Sequence, residues 1–273
     1  MIPQAYITAW AARAPWARVE QIEQDLILSR LIVEIAGHPL LAEELAFRGG
    51  TCLHKLHLPK PLRYSEDLDY VRTSSEPRLG ECFDALREIA RGVGLVEGKR
   101  RFPSAASDMG TIWFDGRPTS GIGRIRIKLE TNVEETEPLD SHAFIEYTVR
   151  SPWWTGTAPV RTFCPEEILG TKIRALCERR KGRDLFDIWA ALTQLDLDDG
   201  RIIAALSHYM GTKLYSFPQL RRCLEGKLVD AEFLADLHDL TTDLGAYDAD
   251  AAAKLLLERI GVRLRNVPED LLS

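Results

Sequence analysis

The chain has 273 residues, 45% hydrophobic and 28% charged, the balance of a globular protein of one large domain or two small ones. Its net charge of −6 excludes a uniformly basic nucleic-acid coat protein, though not a local basic groove. No run approaches about eighteen uninterrupted apolar residues and no basic start precedes an apolar stretch, so neither a membrane span nor a secretory signal is expected.

Five scattered cysteines without a Cys-x-x-Cys pair argue against a disulfide framework or structural zinc, and for a cytoplasmic protein. In chain order, Val19, Ile22, Leu26 and Val33 recur at helical steps and predict an amphipathic helix over 18–36. Gly37-His38-Pro39 closes it, and 40–45 reads as a short second helix. Ala46 to Thr51 reads as a strand or turn running into a helix N-terminus at 52–56. Pro59 and Pro61 interrupt the chain, 68–71 predicts a short strand, and the spacing of Leu79, Phe83, Leu86 and Ile89 predicts a helix over 79–93. β-Branched and aromatic content predicts strands over 111–114, 122–131 and 143–149. The Trp-Trp-Thr-Gly of 152–159 reads as a connection. Beyond Pro165 the pattern is helical, with Leu185, Ile188, Trp189 and Leu192 as one buried stripe. The expectation is an α+β domain over 1–160 and a helical domain over 161–273.

Asp67 and Asp69 carry the most informative chemistry. In a strand they share a face with Cα atoms about 6.6 Å apart, and two converging carboxylates call for a divalent cation. Oxygen ligands suit Mg²⁺, which completes its shell with substrate phosphates. Gly49, Gly50 and Thr51 offer close backbone approach to an anion. Glu130 ends a strand whose charged face also carries Arg124, Arg126 and Lys128, and pairing of that strand beside 68–71 would bring a third carboxylate to the metal. Each piece has a plainer explanation: a solvated strand end, a simple turn, cross-strand ion pairs.

Lys172 and Arg179, on neighbouring turns of one helix, are placed to face a polyphosphate, unless the basic run they belong to is only a solvated face. Asp184 and Asp187 fall in the first turn of the next helix, where an acid also serves as a partner of the helix dipole. There is no H-E-x-x-H, G-x-S-x-G, Walker A or G-x-G-x-x-G pattern. His54 and His57 lack companion ligands, and the tryptophans fit core packing better than base stacking.

The order Phe-Arg-Gly-Gly-Thr-x-Leu-x-Lys, Arg-Tyr-Ser-Glu-Asp-Leu-Asp, Ile-Lys-Leu-Glu, Thr-Lys-Ile-Arg-Ala-Leu and Arg-Asp-Leu-Phe-Asp resembles the AbiEii/MenT nucleotidyltransferase toxin family over roughly 45–195. The resemblance implies a DNA polymerase β-like nucleotidyltransferase core followed by a mostly helical C-terminal half. It implies a toxin of a bacterial toxin–antitoxin system that uses a nucleoside triphosphate (NTP) and Mg²⁺, adds nucleotides to the 3′ acceptor end of tRNA and blocks translation, opposed by a cognate antitoxin. Carried onto this chain, it assigns Asp67, Asp69 and Glu130 to metal, and Gly49, Gly50, Thr51, Lys55, Ser65 and Lys172 to the nucleotide. Asp184 and Asp187 join Asp67, Asp69 and Lys172 as catalytic. The basic residues Arg124, Arg126, Arg179, Arg180 and Lys181 form the expected RNA surface, with Lys99-Arg100-Arg101 as a further local concentration of charge. Competing classes are a transferase acting on a protein or small molecule, a metal-dependent phosphohydrolase or nuclease, and a non-catalytic binding protein.

Overall fold

Alternating apolar and polar side chains build the central sheet, seen in a computed structural model that describes residues 2–264 except 77, 106, 212–214, 242–244 and 246. The chain divides into two compact units, Met1–Leu56 with Arg63–Phe163, and His57–Leu62 with Cys164–Ser273.

In the first unit, helices α1 (Gln4–Trp10), α2 (Val19–Gly37) and α3 (Pro39–Glu44) precede strand β1 (Leu45–Arg48). A short helix α4 (Gly49–Cys52) continues as a wider π-type turn over Leu53–His57. Then follow β2 (Asp67–Arg72), α5 (Leu79–Gly92), β3 (Val96–Arg101), β4 (Met109–Gly116), β5 (Ile125–Asn132), β6 (Ala143–Arg150) and β7 (Thr155–Thr162). Among the described residues the strands form one sheet in the order β3-β4-β5-β2-β1-β7-β6. The β2–β5 and β1–β7 pairs are parallel and the others antiparallel. Ile112, Phe114, Ile125, Ile127 and Leu129 are buried on one face, toward which α2 and α5 pack. Asp25 of α2 accepts hydrogen bonds from the Trp10 and Trp16 indoles at 2.8 and 3.0 Å, tying the N-terminal segment to that helix.

The second unit is helical: α6 (Pro165–Glu178), α7 (Gly182–Gln194), α8 (Asp199–Met210), α9 (Phe217–Leu228), α10 (Ala231–Ala235), α11 (Ala249–Leu256) and α12 (Val262–Leu264). Leu185, Ile188 and Leu192 are buried as the stripe requires, whereas Trp189 at its edge is half-buried. The leucines expected to continue this pattern beyond 264 lie outside the described residues.

The α+β expectation holds, with four corrections. The segment read as a connection at 152–159 is largely strand β7, paired with β6 through a turn in which the Ser151 N–H donates to the Trp154 carbonyl and the Trp154 N–H donates to Ser151 Oγ. Thr-Gly-Thr-Ala-Pro has little strand propensity, and its pairing partner supplies what the local sequence lacks. Strand β3 was invisible because Val-Glu-Gly-Lys-Arg-Arg carries no alternation on an exposed edge. Strand β5 starts at Ile125 rather than 122, because Gly121 and Gly123 take positive φ. Arg179 is not on the helix of Lys172: α6 ends at Glu178 and Arg179 is extended.

Candidate active site

The first cluster grows from a register. Arg48 of β1 lies opposite Asp69 of β2, and Asp69 lies opposite Glu130 of β5, so these three project from one face. Two residues along, Asp67 lies opposite Lys128 on the same face. The Lys128 ammonium sits 3.2 Å from Asp67 and 2.8 Å from Glu130. Burial and the neighbouring Asp69 charge push the Asp67 carboxyl up to about 6, against the pull of Lys128. Burial works against the charged Lys128, but the Glu130 hydrogen bond and the Asp67 charge outweigh it and raise its pKa. A cation shared by carboxylates that still repel one another marks a place with negative charge to spare. The Arg48 guanidinium is itself held by Glu135 at 2.5 Å.

Gly49 follows at the β1–α4 junction with φ +83°, and a Cβ there would stand 2.2 Å from an Asp69 carboxylate oxygen. Only glycine lets the backbone pass so close to that acid. Gly50 and Thr51 are buried behind it. Thr51 Oγ1 donates to the Asp67 carbonyl at 2.5 Å and lies 2.8 Å from Ser65 Oγ. A hydroxyl has one proton, so Ser65 is the donor in the second contact and both hydroxyls fix the start of β2. Lys55 stands apart from this arrangement: its ammonium binds Asp25 at 2.7 Å and Ser29 at 3.1 Å. A cavity of about 810 Å³ lined by Ile27, Arg30, Leu95, Ile125 and Trp153 includes none of these carboxylates.

The second cluster lies in the helical unit. Lys172, only 6% exposed, places its ammonium 3.2 Å from Asp184 and 2.7 Å from Asp187, both 0% exposed. Arg179 grips Asp184 through Nε and Nη2 at 2.7 and 2.8 Å. Burial alone would raise the Asp184 pKa, but Lys172 and Arg179 prevail and lower it. Only Asp184 lies in the first turn of α7; Asp187 lies in the second, and both are anchors of a buried ion network rather than solvent-facing partners of the helix dipole. Lys227 donates to the Arg179 carbonyl at 2.7 Å, fixing the bend after α6.

The expected RNA-facing cations are partly neutralised. Arg124 and Arg126 both meet Asp115, the latter at 3.2 Å, while Arg180 lies 3.7 Å from Asp230 and Lys181 3.5 Å from Asp236. The sequence shows Arg48 at the head of the glycine run without giving it a role, and its tryptophans, Trp113 among them, read mostly as core. The Arg-Gly-Gly run carried a signal for Arg48, because the residue entering a glycine turn from a strand is fixed beside whatever the glycines approach.

Comparison with known proteins gives a consistent result. MenT4, a nucleotidyltransferase toxin from Mycobacterium tuberculosis, superposes with a TM-score of 0.64 at 16% identity, covering 99% of this chain and 92% of that one. JHP933 from Helicobacter pylori superposes with a TM-score of 0.52 at 17% identity, covering 92% and 93%. At such identities the likeness is one of fold. No curated protein matches the chain in sequence. No helix among the described residues is long and apolar enough to cross a membrane. The family model described as nucleotidyl transferase AbiEii toxin, type IV toxin–antitoxin system, matches residues 30–259. The chain therefore belongs to the AbiEii family and is a nucleotidyltransferase toxin of a type IV toxin–antitoxin system, a setting that implies a nucleotide substrate and an antitoxin.

Proposed function

We propose that the protein transfers nucleotides from a Mg²⁺-bound NTP to the 3′ acceptor end of tRNA and so blocks translation in the cytoplasm. The observation that carries the reading is the carboxylate row Asp67, Asp69 and Glu130 beside the glycine passage at Gly49. The donor set fits a hard divalent ion: it offers only carboxylate oxygens from one face of the sheet, Asp67 is strained toward protonation, and the Lys128 ammonium already lies between Asp67 and Glu130.

Asp67 and Asp69 would hold the ion, with Glu130 as third carboxylate. Bound there, Mg²⁺ supplies charge neutralisation on the triphosphate and the attacking oxygen. Gly49 lets the backbone pass beside the Asp69 carboxylate, and Gly50 is buried behind it. Thr51 and Ser65 hold the start of β2, and with it Asp67, in place. Lys128 restrains Asp67 and Glu130 when no ion separates them. In the helical unit Lys172 fixes Asp184 and Asp187, and Arg179, 54% exposed, holds Asp184 from the solvent side. The 3′ hydroxyl oxygen bonds to the α-phosphorus of the NTP as the bond from that phosphorus to pyrophosphate breaks, and the hydroxyl proton passes to a carboxylate of the row. Lys55, committed to Asp25, acts through the fold rather than on the nucleotide.

The test is direct. The protein is incubated with each labelled NTP, with Mg²⁺ or with a chelator, and with intact tRNA or tRNA trimmed at its 3′ end. Label should enter intact tRNA in the presence of Mg²⁺ only. Label on protein or on a small molecule, or shortened RNA, would overturn the acceptor assignment.

A further inference from the structure

Trp113 stands on the wrong face for a core residue. Its neighbours on β4, Ile112 and Phe114, are buried toward the helices, whereas Trp113 is half-buried on the face that carries Asp67 and Asp69. It lies opposite Lys128, which lies opposite Asp67. Two strand spacings, about 10 Å, therefore separate the indole's strand from that of Asp67. Among the described residues it makes no ring contact with another aromatic side chain. Its companions are cations: Lys99 Nζ is 5.6 Å and Arg101 Cζ 5.7 Å from the ring centroid.

A backbone device puts them there. The β3–β4 pairing shifts register between Glu97 and Lys99, so Lys99 rather than Gly98 stands opposite Trp113. The Asp115 carboxylate occupies the space beside Gly98, and a side chain there would have to push it aside. Arg100 points to the other side, where Glu97 and Asp84 bind it, leaving Lys99 and Arg101 exposed beside the indole.

An aromatic plate between two exposed cations is the surface a single-stranded nucleic acid recognises, with a base on the ring and phosphates on the flanking charges. We propose that Trp113 is the stacking platform for a base at the 3′ end of the acceptor RNA, with Lys99 and Arg101 binding the adjoining phosphates. The proposal rests on the RNA-directed transfer argued above and adds the place where the acceptor end lies: along β5, β4 and β3, leading to Asp67. An acceptor whose reactive hydroxyl is at Asp67 has its last bases within reach of the plate.

The experiment measures binding apart from transfer. A fluorescent RNA hairpin with a single-stranded 3′ overhang is titrated by anisotropy into wild type, Trp113→Ala and Trp113→Phe, alongside the same RNA with its overhang bases removed. Trp113→Ala should weaken binding by about five- to a hundredfold, and Trp113→Phe by about threefold or less. Removing the bases should weaken wild type but leave Trp113→Ala little changed. Equal affinities for wild type and Trp113→Ala, or an equal cost of base removal in both, overturn the platform. A raised KM for NTP with unchanged RNA affinity also overturns it, since the plate would then serve the incoming nucleotide. If RNA binds and depends on Trp113 while label goes to another acceptor, the transfer reading fails and the binding site stands. Thermal melts of both variants show that a loss is not unfolding.

Discussion

Gly49 and Asp69 depend on each other at the scale of a few ångströms. Gly49→Ala combines a left-handed backbone with a Cβ 2.2 Å from the Asp69 carboxylate. It should cost about 1–3 kcal/mol in urea unfolding and reduce transfer sharply, because Asp69 must move. Transfer at the wild-type rate would show that this juxtaposition has no role in the chemistry. Asp67→Asn removes one of two repelling acids whose burial already disfavours charge. It should abolish Mg²⁺-dependent transfer while the melting temperature holds or rises; retained transfer would put the metal elsewhere. Lys172 answers differently, because its ammonium neutralises two buried carboxylates. Lys172→Met should destabilise the chain by about 3–5 kcal/mol, and adding Asp187→Asn should recover part of that loss. Lys172→Arg should rescue little, since a planar guanidinium does not fill the place of a point charge. A Lys172→Met protein as stable as wild type would contradict the buried network.

Among the elements, the turn that follows α4 carries a titratable group with a clear consequence. His57 Nε2 is buried without a hydrogen-bond partner among the described residues, and burial depresses its pKa to about 4, against a smaller opposing effect of Glu166. The folded chain therefore keeps His57 neutral where the unfolded chain takes up a proton. Stability is full above about pH 6.5 and falls as pH drops toward 4, by about 2 kcal/mol already at pH 5. Urea midpoints at pH 7.5 and 5 should differ less in His57→Gln than in wild type; equal pH dependence would assign the acid sensitivity to other groups. Element boundaries tell a similar story of context. The helix over 18–36 was legible because its apolar steps are long and regular, and the structure places it at Val19–Gly37. Strands β3 and β7 were not, because one is a charged edge and the other contains Gly and Pro. Each forms only when its neighbour offers hydrogen bonds.

For the whole molecule, the proposed RNA acceptor requires that an acidic chain concentrate its positive charge. Arg180 is 78% exposed and its contact with Asp230 is long, and Lys181 meets Asp236 only at 3.5 Å. Such surface pairs contribute little to stability and leave the cations available to phosphates. Arg180→Ala with Lys181→Ala should lower RNA transfer and reduce the slope of log affinity against log salt by about 1.4, with the melting temperature nearly unchanged. KM for NTP should not move. A salt slope identical to wild type would remove this surface from the RNA path.

The sequence by itself determined the order of chemical parts: a glycine passage, an Asp-x-Asp strand, a charged strand carrying Glu130, and a later Lys172 with Asp184 and Asp187. Period-two and period-3.6 patterns were enough to place most of these on strands and helices, because both are local properties of the chain. Tertiary structure alone decided which parts meet. The register of β2 on β5 sets Asp69 beside Glu130 and inserts Lys128 between Asp67 and Glu130. Burial turns Asp184 and Asp187 from apparent helix caps into the anchors of Lys172. The bulge at Gly98 and the pairing of β4 turn Trp113 from an apparent core residue into a plate on the carboxylate face. Register, burial and facing are non-local: they depend on residues far apart in sequence, and a one-residue slip would reverse every side chain on the strand.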